Sequence, residues 1–318
     1  MARSKNWTYT KQGGGDGGSR NLNYSDPNVR EWYAAQQEQL LDAGVEFWWN
    51  DEGETSFFTF YYWNLAQLQT LKTKSPNKRF MSINRAFTPG MSKMGLVIWT
   101  GDVAPQWQDL QRTPGYVLNW GLAGAAYVTC DIGGFSGDTN ALLLTRWMQV
   151  GTFIPVMRVH STREATPHFP FLWGDEAAAA MKETLNLRCE FWLLFWLWCK
   201  WRDWLISLSL SRSLSRSLSL ALSRSLSLSL SLSLSLYFFS LSPSPPDRLL
   251  PYHYSLGHVA YSSGIPMSRP MAMDFADDEF ASTLTSQWMD GDSILVAPVL
   301  NQDNSSSYVI ARGILTLL

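Results

Sequence analysis

The sequence predicts an α/β protein in which parallel strands form an open sheet or a barrel. Short apolar runs rich in β-forming residues alternate with longer stretches of helical apolar spacing, the order expected of parallel strands joined by helices. Several of these apolar runs end just before an ionisable residue. A length of 318 residues and an apolar content of 46% suit one large or two ordinary domains with a substantial core.

The first predicted helix and strand lead into an acidic cluster. Asp26 followed by Pro27 is a typical helix start, and apolar residues recur at helical spacing until Gly44. Residues 45–49 then predict a buried strand, whose end carries Asn50, Asp51, Glu52 and Glu54. A carboxylate at the carboxyl end of a barrel strand is suited to catalysis, although a solvated acidic turn also explains this stretch taken alone.

The helix and strand alternation continues along the chain. Helices are predicted over residues 57–73, 140–150 and, in part, 106–119, and strand-like runs over 79–84, 95–99, 125–130 and 155–158, with two further apolar runs at 264–270 and 293–298. Five successive strand-like runs each place an ionisable residue just past their end, namely Asp51, Arg85, Asp102, Asp131 and His160. Because parallel strands present their carboxyl ends at one edge, these side chains are expected to meet there.

Two segments differ sharply in composition from the rest. Residues 1–25 are polar and glycine-rich, which predicts a flexible segment. In residues 207–236 serine fills every second position except Ala221, with Leu or Arg between. A T/C dinucleotide repeat read in triplets gives Ser and Leu in alternation, so we interpret residues 189–247 as a translated intron; a genuine low-complexity insertion in a surface loop is the alternative. The predicted catalytic domain then comprises residues 26–188 and 248–318.

Charge, cysteines and hydropathy exclude several classes of function. A net charge of -2 and a pI near 6.1 argue against nucleic acid or an anionic membrane as partner. The three cysteines lack metal-ligand spacing, and the apolar run at 191–198 is too short to span a bilayer. The first residues do not resemble a signal peptide, and the sequence does not assign a compartment. The sixteen Trp residues are compatible with binding of sugar faces.

Paired carboxylates suggest glycoside hydrolysis, and the motifs around them resemble glycoside hydrolase family 31. A retaining enzyme needs one carboxylate as nucleophile and another as proton donor. The chain is similar to the family in its nucleophile motif at 49–54, its acid/base motif at 99–102, the D-I-x-G-F motif at 131–135, and the R-W-x-Q and R-x-H motifs at 146–149 and 158–160. The resemblance covers most of residues 22–188 and 248–300.

The resemblance implies a (β/α)8 TIM-barrel catalytic domain and a set of site residues. It assigns the nucleophile to Asp51 and the acid/base to Asp102. It implies substrate-binding roles for Trp49, Arg85, Trp99, Asp131, Phe135, Arg158 and His160, with the aromatic rings excluding water and stacking on sugar faces. Arg85 and Arg158 could instead orient the carboxylates through ion pairs, and His160 taken alone could be a structural histidine.

The expected activity is retaining hydrolysis of α-glycosides, most simply of an α-glucoside or oligosaccharide, without metal or organic cofactor. An α-transglycosylase of the same family and a truncated, non-catalytic homologue are the alternatives. The family also carries a β-sandwich and first barrel strands ahead of this region, and β domains after the barrel. The sequence therefore predicts a catalytic domain that is incomplete at its N-terminus.

Overall fold

The computed structural model describes residue 7 and residues 22–54, 56–189 and 249–302. Its helices are α1 (Pro27–Asp42), α2 (Thr59–Lys74), α3 (Trp107–Leu122), α4 (Ala141–Thr152), α5 (Asp175–Cys189), α6 (Leu249–Ser263) and α7 (Met271–Asp274). Its strands are β1 (Trp48–Asn50), β2 (Ser82–Asn84), β3 (Leu96–Trp99), β4 (Val128–Thr129), β5 (Ser268–Pro270), β6 (Trp288–Asp290) and β7 (Ile294–Val296). The Ser/Leu segment and most of the predicted flexible segment at 1–25 lie outside the described residues.

The chain divides into two compact units. The first comprises Met1–Met181 and Leu256–Leu318, and the second comprises Lys182–Ser255. Both sheets and all predicted site residues belong to the first unit. The described part of the second unit consists of the end of α5 and the start of α6.

Strands β1 to β4 form a parallel sheet in sequence order. Asn50 pairs with Asn84, and Ile98 pairs with Val128. A parallel bridge between Ile132 and Val159 lies beyond β4. Because α2, α3 and the 3-10 turn Ser92–Met94 lie between successive strands in the chain, all four carboxyl ends point to the same edge. The alternation read from the sequence is therefore confirmed.

Two predicted strands differ from the observed backbone. The first was expected at residues 45–49, but the backbone N–H of Val45 donates to Leu40 O at 2.9 Å and closes the end of α1. β1 therefore begins at Trp48, which is buried, whereas Phe47 and Trp49 are exposed. Residues 155–158 do not form a strand, because Pro155 lacks the backbone N–H that a ladder requires. The Val156 N–H donates to Val128 O at 3.1 Å, and an isolated bridge joins Val159 to Ile132.

The predicted helix boundaries agree closely with the structure. Asp26 caps α1 by accepting a hydrogen bond from the Asn28 backbone N–H at 2.8 Å, and Pro27 is the first helical residue. Asn140 caps α4 through the Leu143 N–H in the same way. Helix α3 was predicted only in part, yet it continues through Pro114. Its buried face, with Leu110, Val117 and Leu118, outweighs the lost hydrogen bond.

A second, antiparallel sheet follows in the order β5-β6-β7. Its first and last strands fall within the predicted apolar runs at 264–270 and 293–298. Met271, Ala281, Met289 and Leu295 form a small buried cluster beside it. Within the described ranges, none of the helices has the length and apolarity required to cross a bilayer.

Candidate active site

Asp51 follows β1 directly and is held by two hydrogen bonds. Its Oδ1 accepts from Arg85 Nη1 at 2.9 Å and from the Glu52 backbone N–H at 2.8 Å. Glu52 has φ +54°, a left-handed conformation that is uncommon outside glycine. This conformation accompanies the hydrogen bond from the Glu52 N–H to the neighbouring carboxylate. Both of these hydrogen bonds fall on Oδ1, so Oδ2 is the oxygen suited to bond an incoming group.

Arg85, which follows β2, gathers three carboxylates around one guanidinium. Its Nη1 lies 2.9 Å from Asp51 Oδ1, its Nε 3.4 Å from Glu54 Oε1, and its Nη2 3.8 Å from Asp102 Oδ2. The hydrogen bond to Asp51, followed by the charges of the other carboxylates, raises the Arg85 pKa above its usual value despite partial desolvation. The candidate nucleophile and the candidate acid/base are thus connected through a single cation.

Asp131 and Arg158 form a buried ion pair at the same edge. Asp131 Oδ1 lies 2.5 Å from Arg158 Nη1, and the side chains are 0% and 13% exposed. Burial raises the pKa of Asp131 to about 6, although Arg158 acts in the opposite direction. Asp131 Oδ2 and Arg158 Nη2 are buried without a hydrogen-bond partner in the structure. Buried polar atoms of this kind are usually paired, so these two are available to a ligand hydroxyl.

Aromatic rings enclose Arg158 and His160. The Arg158 guanidinium lies 4.9 Å from the Trp49 ring centroid and 5.7 Å from that of Trp99. His160 meets Trp49 edge-on with centroids 4.7 Å apart and stacks on Phe135 at 5.4 Å. Desolvation and then the Arg158 charge lower the pKa of His160. A neutral imidazole can both donate and accept a hydrogen bond, which suits a sugar hydroxyl.

The two tryptophans of the site differ from each other in their exposure. Trp49 is 47% exposed and offers a face to solvent, as a sugar platform requires. Trp99 is 1% exposed and belongs to a buried cluster with Ile83 and Val97. It meets Trp49 edge-on at 5.9 Å. Trp99 therefore packs against Trp49 from the interior of the sheet, and its substrate-binding role stays a prediction.

The loops that carry Asp102, Asp131 and His160 are hydrogen-bonded to one another. The Phe135 N–H donates to Val103 O at 2.7 Å, and the Thr162 N–H donates to Phe135 O at 2.7 Å. Gly134 allows the first of these contacts, since it has φ +94° and a Cβ there would lie 2.4 Å from Pro105 N. The site therefore rests on connected loops above a buried sheet.

The structure brings all nine predicted residues to this edge. Asp51, Arg85 and Asp102 are linked by ion pairs, and Trp49, Trp99, Phe135, Arg158, Asp131 and His160 by ring contacts and the buried ion pair. Sequence reasoning missed a buried network of Asn50, Asn64, Gln67, Ser82 and Asn84 under the same edge. The sequence did contain a pattern that indicates part of this network, because Asn50 and Asn84 directly precede Asp51 and Arg85.

Sequence reasoning also missed His168, which is 4% exposed. Its ring lies against Gly133, where an added Cβ would approach His168 Nδ1 to 2.8 Å. Burial lowers the pKa of this histidine. Among the described residues, no group of three or more His, Cys, Asp or Glu side chains is arranged to hold a metal ion.

Carboxylates at the carboxyl edge of a parallel α/β sheet are the arrangement found at the active-site face of α/β barrel domains. The chain belongs to glycosyl hydrolase family 31. The family's TIM-barrel domain matches residues 1–194, and its C-terminal domain matches residues 264–314. The prediction of a TIM-barrel catalytic domain of this family is thereby confirmed.

Curated relatives agree with this family, and a solved structure shares the fold. The chain is 25% identical to a probable glucan 1,3-alpha-glucosidase of Oryza sativa subsp. japonica over 91% of its length and 28% of that protein. It is 24% identical to alpha-glucosidase 2 of Bacillus thermoamyloliquefaciens over 87% of its length and 31% of that protein. A family 31 alpha-xylosidase from a soil metagenome, complexed with xylose, superposes with a TM-score of 0.70 at 22% identity, covering 95% of this chain and 44% of that one. The chain thus spans about a third of the length of these curated relatives.

Proposed function

We propose that this protein is a retaining α-glycosidase that cleaves α-glucosides by double displacement. The observation that carries the proposal is the sharing of Arg85 by Asp51 and Asp102, at 2.9 and 3.8 Å. Retaining glycosidases need two carboxyl groups close enough to flank one glycosidic bond. The alpha-glucosidase names of the two curated relatives support α-glucosides as the substrate class.

In the first step, Asp51 Oδ2 attacks the anomeric carbon while the bond from that carbon to the leaving oxygen breaks. Asp102 gives its proton to the leaving oxygen, and a covalent glycosyl ester forms on Asp51. In the second step, Asp102 takes a proton from water, and the water oxygen displaces the Asp51 carboxylate. Arg85 holds Asp51 Oδ1, so that the carboxylate approaches with a fixed orientation.

The sugar is positioned by the buried pair and the aromatic rings. Asp131 and Arg158 each hold one buried, unpaired polar atom for a hydroxyl, and a charge-assisted hydrogen bond there orients the ring. Trp49 offers the exposed aromatic face. His160, packed between Trp49 and Phe135, supplies a further polar group.

Covalent trapping tests the nucleophile. The protein encoded by the complete transcript is incubated with 5-fluoro-α-glucosyl fluoride, digested and analysed by mass spectrometry. We expect the sugar on the peptide that contains Asp51, and loss of aryl α-glucoside turnover in Asp51→Ala. Turnover undiminished in Asp51→Ala, or a label on another carboxylate, contradicts the assignment. Products longer than the substrate, in place of free glucose, would identify a transglycosylase.

We also propose that residues 189–247 are absent from the mature protein. The proposal rests on the Ser/Leu alternation of residues 207–236. The match to the family's barrel domain ends at residue 194 and the match to its C-terminal domain begins at residue 264, so neither covers this alternating stretch. Sequencing the transcript across residues 181–255 tests it. We expect messages that join the codons of Arg188 and Arg248, and retention of the segment in every mature message contradicts the proposal.

A further inference from the structure

Helix α2 presents polar side chains where it packs against β1 and β2. Phe60, Asn64, Gln67 and Leu71 lie on one face of the helix, and each is at most 2% exposed. Helices that cover a barrel sheet normally bury apolar side chains there. Asn64 and Gln67 instead meet Asn50 of β1 and Asn84 of β2. A buried amide is costly unless all of its hydrogen bonds are formed.

The hydrogen bonds of this amide network are well formed. Asn50 and Gln67 make a reciprocal pair, with Asn50 Nδ2 donating to Gln67 Oε1 at 3.0 Å and Gln67 Nε2 donating to Asn50 Oδ1 at 2.7 Å. Asn84 Oδ1 accepts from Asn50 Nδ2 at 2.9 Å and from Asn64 Nδ2 at 2.7 Å. The Ser82 hydroxyl donates to Asn64 Oδ1 and accepts from Asn84 Nδ2. The network therefore has strong orientational preferences that an apolar interface would lack.

The position of the network relative to the site is specific. Asn50 and Asn84 are direct partners in the parallel ladder. The next residue on each strand is Asp51 and Arg85, whose side chains meet at 2.9 Å. Side chains alternate between the two faces of a strand, so the amides lie on the α2 side of the sheet, one residue before the ion pair. The amides and the ion pair therefore share the same two strand ends.

We propose that the amide network, with Gln67 and Asn64 as its helix side, is a positioning device for the Asp51 carboxylate and its Arg85 partner. Gln67 touches neither substrate nor reacting atoms and acts through Asn50. Its Nε2 also donates to Tyr33 Oη at 3.3 Å, outside the network. The kinetic part of the proposal rests on the proposed function, whereas the geometric part does not. A network that only stabilises the fold would leave the Asp51 to Arg85 contact unchanged when one hydrogen-bonded pair is removed.

The test compares Gln67→Met with Thr70→Val. Gln67→Met keeps the length of the side chain but removes both hydrogen bonds to Asn50. Thr70 lies on the same helix, is 5% exposed and donates to Ala66 O at 2.8 Å outside the network, so Thr70→Val also loses a buried hydrogen bond. Both variants are studied in the protein encoded by the complete transcript, at a temperature where circular dichroism shows each to be folded.

We expect Gln67→Met and Thr70→Val to differ in two measurements, the distance between Asp51 and Arg85 and the kinetic constants. Crystal structures should show Asp51 Oδ1 more than about 3.5 Å from Arg85 Nη1 in Gln67→Met, beyond hydrogen-bond range, and unchanged in Thr70→Val. With an aryl α-glucoside, kcat should fall at least about tenfold in Gln67→Met with KM within about threefold, because misplacement of a reacting group costs rate more than binding. Thr70→Val should keep both constants.

The possible outcomes separate this proposal from the proposed function. A changed ion pair in a protein whose wild type shows no hydrolysis supports the network and contradicts the glycosidase assignment. An unchanged ion pair, or a changed one with unchanged kcat in an active enzyme, overturns the network proposal. If Gln67→Met does not fold, Ser82→Ala removes a single hydroxyl from the network, and the same two measurements decide, with an expected fall in kcat of at least about threefold.

Discussion

Replacing Asp131 with Asn should change how the stability of the protein depends on pH. The carboxyl side chain is 0% exposed, and burial raises its pKa from 3.8 to about 6. The folded protein therefore binds more protons than the unfolded chain between these two values. Stability contributed by the protonated carboxyl is present in full below pH 3.8 and is lost as the pH rises through about 6.

The magnitude follows from the size of the pKa difference. Each pKa unit corresponds to about 1.36 kcal/mol, so a rise from 3.8 to about 6 corresponds to about 3 kcal/mol in full. Since the unfolded chain is already partly ionised at pH 4, about 2 to 3 kcal/mol of this change falls between pH 4 and pH 7. Asp131→Asn removes the titrating group, keeps the shape of the side chain and leaves an oxygen that can accept from Arg158.

Urea unfolding at several pH values between about 4 and 7 measures the effect. The free energy of unfolding of the wild type minus that of Asp131→Asn should fall by about 2 to 3 kcal/mol over this range, because groups that titrate in both proteins cancel. The neighbouring change Ile132→Val, at a fully buried residue, should lower stability by about 1 kcal/mol at every pH. A wild-type minus Asp131→Asn difference that stays constant or rises with pH refutes the reasoning.

Three further substitutions test the cation at the site, the first helix cap and the loop contact. Arg85→Met should change the free energy of unfolding by less than about 1 kcal/mol, because the carboxylates that Arg85 contacts are 40 to 48% exposed. The kcat for an aryl α-glucoside should fall at least about tenfold, and a loss of stability with unchanged kcat contradicts this role. Asp26→Ala should cost about 1 kcal/mol in urea unfolding through loss of the α1 cap; a neutral effect argues against the cap. Gly134→Ala should lower the free energy of unfolding by at least about 2 kcal/mol. Gly101→Ala should lower it less, because Gly101 has a similar φ of +80° but open space around an added Cβ; equal losses of stability contradict the steric argument.

Sequence patterns were sufficient to place most of the strand ends. Short β-forming runs separated by helical spacing predict that Asp51, Arg85, Asp102 and Asp131 lie at one edge of the sheet. His160 follows the isolated bridge at Val159, because residues 155–158 do not form a strand. The starts of α1 and α4 could also be predicted from the sequence, because Asp26 and Asn140 cap these helices through hydrogen bonds to residues two or three positions further along the chain. Structure that depends on neighbours in the chain can therefore be predicted from short sequence patterns.

Exposure and pairing within the edge could not be predicted in the same way. Trp49 and Trp99 each begin one of the two predicted catalytic motifs, yet one is 47% exposed and the other 1%. β3 is flanked by β2 and β4, whereas β1 pairs only with β2 in the described sheet. Asn64 and Gln67 are polar residues that a helical pattern assigns to solvent. Their burial depends on contacts with strands 14 to 20 residues away in the chain.

The two arginines of the site contact four carboxylates in different environments, three of them exposed and one buried. Substitution of the two arginines should therefore have different effects. Arg85 contacts Asp51, Glu54 and Asp102, all at least 40% exposed, where solvent screening keeps ion pairs weak. Loss of one of these contacts therefore costs the fold little. Arg158 and Asp131 are buried together, where removal of one partner leaves a desolvated charge and costs about 3 to 5 kcal/mol. Substitutions at Arg158 should accordingly lower stability and sugar binding together, whereas substitutions at Arg85 should lower turnover with the fold intact.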